Sequence, residues 1–172
     1  MRRKKFNLEL GNFICRFGSK KVLLDLADEI IIPAFTDPNL SRGFGKTKYF
    51  FHEVKLVAIP NTSQKPILGI IGRFVKDTTL EREQIFKEGK GLIKDSSSIK
   101  SSPSSIFLLI LHNHRLLYVK ETKYAPSKET FGHTALNFIR KKYSIFIDNE
   151  YEKRKREANK PAAIPGRCSL AV

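Results

Sequence analysis

The stretch IFLLILHNHRLLYV, Ile106 to Val119, decides how the rest of the chain is read. Its first half, IFLLIL, is apolar without alternation, so neither face of a strand made from it suits water. A strand of that kind belongs in the middle of a sheet, covered on both sides. HNHR then breaks the run and LLYV resumes it. A short polar break between two short apolar runs predicts a tight turn at Asn113-His114, with the flanking strands paired antiparallel.

Working outward, YFFHEVKLVAI (49–59) has the period of a strand, with Phe50, Val54, Leu56 and Ala58 expected on one face. PNTSQKP turns the chain and ILGIIGRFV returns antiparallel. FNLEL alternates, with Phe6, Leu8 and Leu10 on one face, and the following GN suits a type II′ hairpin into FICRF. Ser19 is expected to cap a helix whose stripe is Val22, Leu23, Leu26, Ala27 and Ile30. Three isoleucines followed by Pro33 favour extended chain. Residues 37–47 are rich in turn formers and read as a loop. TTLEREQIFKEGKG predicts a short helix, capped by Thr79 and stopped by Gly89 or Gly91. DSSSIKSSPSS reads as a polar loop.

After Pro126, Ser127 caps a helix whose buried stripe is Phe131, Ala135, Phe138 and Ile139. YSIFID is either a last short strand or an extension of that helix, and EYEKRKREANK reads as a solvated, charged helix before a loose tail. The sum is an α+β fold: a largely antiparallel sheet built from hairpins, two or three packed helices and a charged C-terminal helix. Residues 1–149 form the single α+β domain and 150–172 the charged helix and tail.

The 172 residues include 32 Lys and Arg against 17 Asp and Glu, a net charge of +15. Part of the excess sits in the ends, MRRKK and EKRKRE. Another part sits between Asn39 and Lys76, where Arg42, Lys46, Lys48, Lys55, Lys65, Arg73 and Lys76 face only Glu53. Positive charge of this density favours a polyanion, because phosphate contacts release condensed counterions. Cys15 and Cys168 have no disulfide or zinc spacing, which fits a reducing compartment. No stretch has the unbroken apolar length of a signal peptide or a membrane span. The expected location is therefore intracellular, cytoplasmic or nucleoid/nuclear, and not secreted, with no membrane partner.

LSRGFGKTKYFF (40–51) holds two near-motifs. GKT at Gly45-Lys46-Thr47 has the letters of a phosphate-binding loop, but Leu40 stands where that loop needs its first Gly, and a strand rather than a helix follows. Arg42, Gly43, Phe44, Gly45 and Tyr49 fit the pattern of an RNA-stacking strand, while Lys46 replaces the second ring that would stack a base. What survives is a cationic, aromatic-bearing loop, which suits single-stranded nucleic acid if the Phe44 ring stacks a base rather than packing down as a loop anchor.

HEVK places Glu53 and Lys55 two apart on one strand, with Asp37 sixteen residues earlier. Asp followed by Glu-x-Lys resembles the signature of restriction-type nucleases. That resemblance implies a Mg²⁺ site on Asp37 and Glu53, with Lys55 stabilising charge or helping to activate water. The histidines, HNH included, read as turn or packing residues.

Three readings follow. The leading one is a nucleic-acid-associated module, binding DNA or RNA through Arg42, Phe44, Lys46, Lys48 and Arg73 and needing no cofactor. The second is a Mg²⁺-dependent nuclease using Asp37, Glu53 and Lys55. The third is a protein-interaction or scaffold domain, which predicts basic residues scattered around the surface beside one sizeable apolar patch.

Overall fold

The computed structural model describes residues 5–17, 21–60 and 66–158. In chain order it contains β1 (Leu8–Asn12), β2 (Arg16–Phe17), β3 (Lys21–Val22), a 3-10 turn (Leu23–Leu26), a π turn (Ala27–Ile31), α1 (Ile32–Thr36), β4 (Arg42–Phe44), β5 (Thr47–Ile59), β6 (Ile67–Glu81), β7 (Gln84–Lys87), β8 (Gly91–Lys94), β9 (Ser98–Ser101), β10 (Ser104–Ile110), β11 (Arg115–Lys120) and α2 (Lys128–Ala158). The fold is α+β, and the pairings of the described strands are antiparallel. The main sheet runs β1-β11-β10-β6-β5-β4, and β9 also pairs with β6.

The hairpin expected at 106–119 is β10 and β11, with Leu108 opposite Leu117. Its turn places His114 at φ 58, and the Asn113 side chain accepts the Arg115 amide at 3.2 Å. As its composition demands, β10 is central, between β11 and β6.

One face of this sheet is covered by α1, the turns before it and α2. Ser127 Oγ accepts the Thr130 amide at 3.2 Å and so caps α2. Phe131, Ala135, Phe138 and Ile139 are all buried, as their spacing requires. Phe131 meets the rings of Phe13, Phe35, Phe51, Phe74, Phe107 and Tyr118, at centroid distances of 5.0 to 6.0 Å. These rings come from β5, β6, β10, β11, α1 and the segment after β1, so one helical side chain ties together most of the fold. The Tyr118 hydroxyl donates to the Pro126 carbonyl at 2.8 Å, which keeps its buried oxygen satisfied.

Several expectations are overturned. GN does not turn FNLEL back on FICRF: Gly11 and Asn12 continue β1, which pairs along the edge of β11 instead. IIIPAF is helical rather than extended, because Ile30, Ile31, Ala34 and Phe35 are buried at helical spacing. Pro33 lies in the first turn of α1, which continues directly from the π turn. The Asp25 carboxylate accepts the Val22 amide at 2.7 Å at the start of this segment; the expected cap Ser19 lies outside the described residues, as does most of the turn PNTSQKP.

The loop assigned to 37–47 contains β4. The expected helix over TTLEREQIFKEGKG is strand instead. Thr78 to Glu81 extend β6 and pair with β9, inside the stretch read as a Ser-rich loop. Gln84 to Lys94 form the β7–β8 hairpin, and Gly89 (φ 76) and Gly91 (φ 69) supply its turn rather than a helix stop. Nor do Phe50, Val54, Leu56 and Ala58 share a face. The register of β5 against β6 shifts between His52 and Lys55, so Phe50 lies opposite Val75 on one face while Leu56 and Ala58 lie opposite Ile70 and Leu68 on the other.

YSIFID extends α2, and the charged stretch after it is no separate helix but the last turns of the same one. At 31 residues α2 is about 46 Å long, and its end, residues 151–157, stands exposed.

Truncating the ring at the centre of the cluster leaves a cavity that six neighbours cannot close. Phe131→Ala is expected to lose about 3–5 kcal/mol of unfolding free energy in a urea titration. Phe44→Ala, at a ring 74% exposed, is expected to change it by less than about 0.5 kcal/mol.

Candidate functional site on the open face of the sheet

Residues opposite one another in paired strands project to the same side. Two rows can be followed across the face away from the helices. One runs Leu10, Leu117, Leu108, Ile71 and Lys55; the other runs Leu8, Val119, Ile106, Arg73 and His52. The α1 and α2 rings contact Phe51, Phe74, Phe107 and Tyr118 on the opposite side. Among the described residues no helix lies over these two rows. Leu8 and Leu10 are 57% and 63% exposed, and the central aliphatics are half-buried by their strand neighbours. The sequence calls for a cover on both faces of β10, and the described chain supplies one.

A polar knot sits within this apolar surface. The register shift in β5 is a bulge, and Glu53 adopts φ 51, a conformation that branched side chains resist and that costs a non-glycine residue energy. Opposite it, a Cβ on Gly72 would stand 2.9 Å from Val54 Cγ2 and 3.1 Å from Val54 Cα, so only glycine lets the bulged strand pass. The bulge aims Glu53 at Arg73, whose guanidinium Nη1 donates to the Glu53 carboxylate. Arg73 Nε donates to Glu121 Oε2 at 3.2 Å, and Ser104 Oγ donates to the same oxygen at 2.6 Å. Glu53, Val54, Lys55, Ile71, Arg73 and Ile106 line a shallow groove around the knot.

The residues singled out for nucleic acid do not converge. Arg42 lies opposite Tyr49 on the helix side and donates to Thr134 Oγ1 at 3.2 Å. Phe44 is exposed. Lys46 stands in the β4–β5 turn, where Gly45 has φ 57, and pairs with Glu81 at 2.5 Å. Lys48 lies opposite Asp77 and Arg73 in the knot, both on the open face. The cationic set is thus divided between two faces, and its best-placed member is compensated by two carboxylates.

Nor does the structure bring Asp37, Glu53 and Lys55 together. Asp37 follows α1 on the helix side and pairs with Lys142 of α2 at 2.6 Å, whereas Glu53 and Lys55 belong to the open face. Among the described residues no three His, Cys, Asp or Glu side chains gather as ligands of a metal would. His112 lies exposed in the β10–β11 turn and His52 is exposed beside Glu53. Cys15 is buried, and burial pushes its thiol pKa up, away from the reactive thiolate.

No protein-family model matches this chain, and no curated protein or solved structure does so either. Among the described residues no helix is long and apolar enough to cross a membrane.

The Asp37–Lys142 pair fastens α1 to α2, and its acid dependence has a definite sign. The Lys142 hydrogen bond first, and the Asn39 amide second at 2.9 Å, hold the Asp37 carboxyl below its usual pKa. Stability from a depressed carboxylate is complete above the unfolded-state pKa and is lost as pH falls through the folded-state value. Asp37→Asn is expected to melt below wild type at about pH 7 and to converge on it near about pH 2. A gap of constant size in thermal melts across that range contradicts the pairing.

Proposed function

We propose that this chain is a protein-interaction module and that the open face of its sheet is the docking surface. The observation that carries the reading is the central strand β10. Its side chains are apolar in both directions, and Ile106 and Leu108 continue into aliphatic rows that no described helix covers. A contiguous apolar area of this extent, interrupted by a few satisfied charges, is what marks a contact surface on a globular protein. Arg73 supports it further, since arginine held in a fixed hydrogen-bonded geometry amid apolar neighbours is the type of residue that anchors interfaces. The strained Glu53 fits the same reading, because backbone strain of this kind collects at functional positions. The proposed activity is binding.

The test is whether the face offers apolar surface without being part of the folding core. Leu108→Thr combined with Leu117→Thr keeps strand propensity and removes the aliphatic centre. In solution dilute enough to keep the wild-type protein monomeric, it is expected to enhance the fluorescence of an anilinonaphthalene dye, and the double variant to lose most of that enhancement with unchanged far- and near-ultraviolet circular dichroism. Equal dye response in both proteins contradicts the reading.

A second reading, contact with DNA or RNA, is favoured by the net charge of +15 and by the end of α2, where Lys153, Arg154, Lys155 and Arg156 stand exposed in consecutive positions. Four phosphate contacts to a single strand correspond to roughly a fiftyfold loss of affinity between about 50 and 200 mM salt. Filter binding of single-stranded DNA and RNA is expected to show that slope, and replacing the four residues by Ala to flatten it. Binding indifferent to salt excludes this mode.

A further inference from the structure

We infer that the partner on the open face is a second copy of this chain, the two sheets meeting face to face across a twofold axis. The inference rests on the docking reading above and adds the identity of the occupant.

Charge is the first argument. The chain carries +15, so two copies repel each other over most of their surfaces. The open face departs from that average. Its cations Arg73, Lys48, Lys55 and Arg115 are set against Glu53, Glu121 and Asp77, and their charges nearly cancel. Repulsion between two copies is therefore least when these faces meet.

Self-complementarity is the second argument. A twofold contact must match a patch to itself, which requires both signs of charge and an apolar field on one surface. The knot supplies both signs toward the β6–β5 end of the aliphatic rows: Arg73 belongs to one of them, and Glu53 and Glu121 flank it. Rotation about an axis near Ile71 and Ile106 brings apolar rows onto apolar rows and a knot of mixed sign onto its copy.

Area is the third. Five strands, β1, β11, β10, β6 and β5, at ~4.8 Å spacing and about six residues deep give a flat footprint of about 500 Å². Side-chain relief raises it toward the ~800 Å² per partner typical of a stable complex. Two antiparallel sheets stack at about 10 Å with their strands within about 30° of alignment, a geometry reached by apolar faces of this kind. The resulting dimer is a sandwich with helices on both outer sides, and it gives β10 the second cover that its composition requires.

Sedimentation equilibrium of the full chain over roughly 1–200 µM tests this, because any useful dimer constant falls within that window. Wild type is expected to move to twice the monomer mass, and to do so no less readily at high salt, as apolar association predicts. Leu108→Thr with Leu117→Thr is expected to raise the dissociation constant at least tenfold. Leu10→Thr, on an exposed edge position that does not contribute to the core, is the control against misfolding and is expected to raise it severalfold. A dimer that persists unchanged in both variants overturns the inference, since another surface then holds it. A wild-type monomer that still binds the dye through Leu108 and Leu117 overturns the inference and leaves the docking reading standing. A monomer with no dye response overturns both.

Discussion

The seating of Phe131 among six other rings is the contact on which the rest of this structure depends. A single helical side chain meets residues of β5, β6, β10, β11, α1 and the N-terminal segment. Aromatic rings bring large apolar area and prefer the tilted and edge-on approaches seen here. Because these rings project from one side of the sheet, α2 and α1 have only one side to occupy. The same contact that builds the core therefore leaves the other side of β10 without a helical cover. Core and candidate site are two consequences of one packing decision.

How much of this was legible depended on whether local pattern and tertiary pairing agreed. They agreed at Ile106 to Val119 and along Phe131, Ala135, Phe138 and Ile139, where burial follows the apolar period directly. They disagreed at Thr79 to Gly91. Helix-forming residues there could not override the pairing of Leu80 with Ile99 and Phe86 with Leu92. They disagreed again at IIIPAF, where β-branched residues favour strand in isolation but Ile30, Ile31 and Phe35 are buried as a helical face. The bulge at Glu53 left no trace in the alternation of YFFHEVKLVAI, and one extra residue was enough to send Phe50 and Leu56 to opposite faces.

The candidate site shows the same division. Arg73, Glu53 and Lys55 drew attention as charges near a basic loop or in a Glu-x-Lys spacing. All three lie on the open face, Arg73 and Glu53 in a compensated knot and Lys55 beside it, rather than in a cationic groove or a carboxylate cluster. Spacing along a strand fixes which side chains can share a face; it does not reveal that Asp37 lies on the helix side, paired with Lys142 of α2. The signal for the surface itself was present in IFLLIL, whose two apolar faces ask for two covers. What the chain could not disclose locally was that its helices supply one.

The account stands on the difference between the two faces of β10, and methyl resonances report on it directly. In dilute, methyl-labelled protein with a soluble paramagnetic agent, the methyls of Leu109 and Leu116, buried on the helix side, should stay sharp, while those of Leu108, Leu117 and Leu10 broaden. Equal protection of both sets at low concentration would mean that the second face is already covered within one chain, and the account would fail.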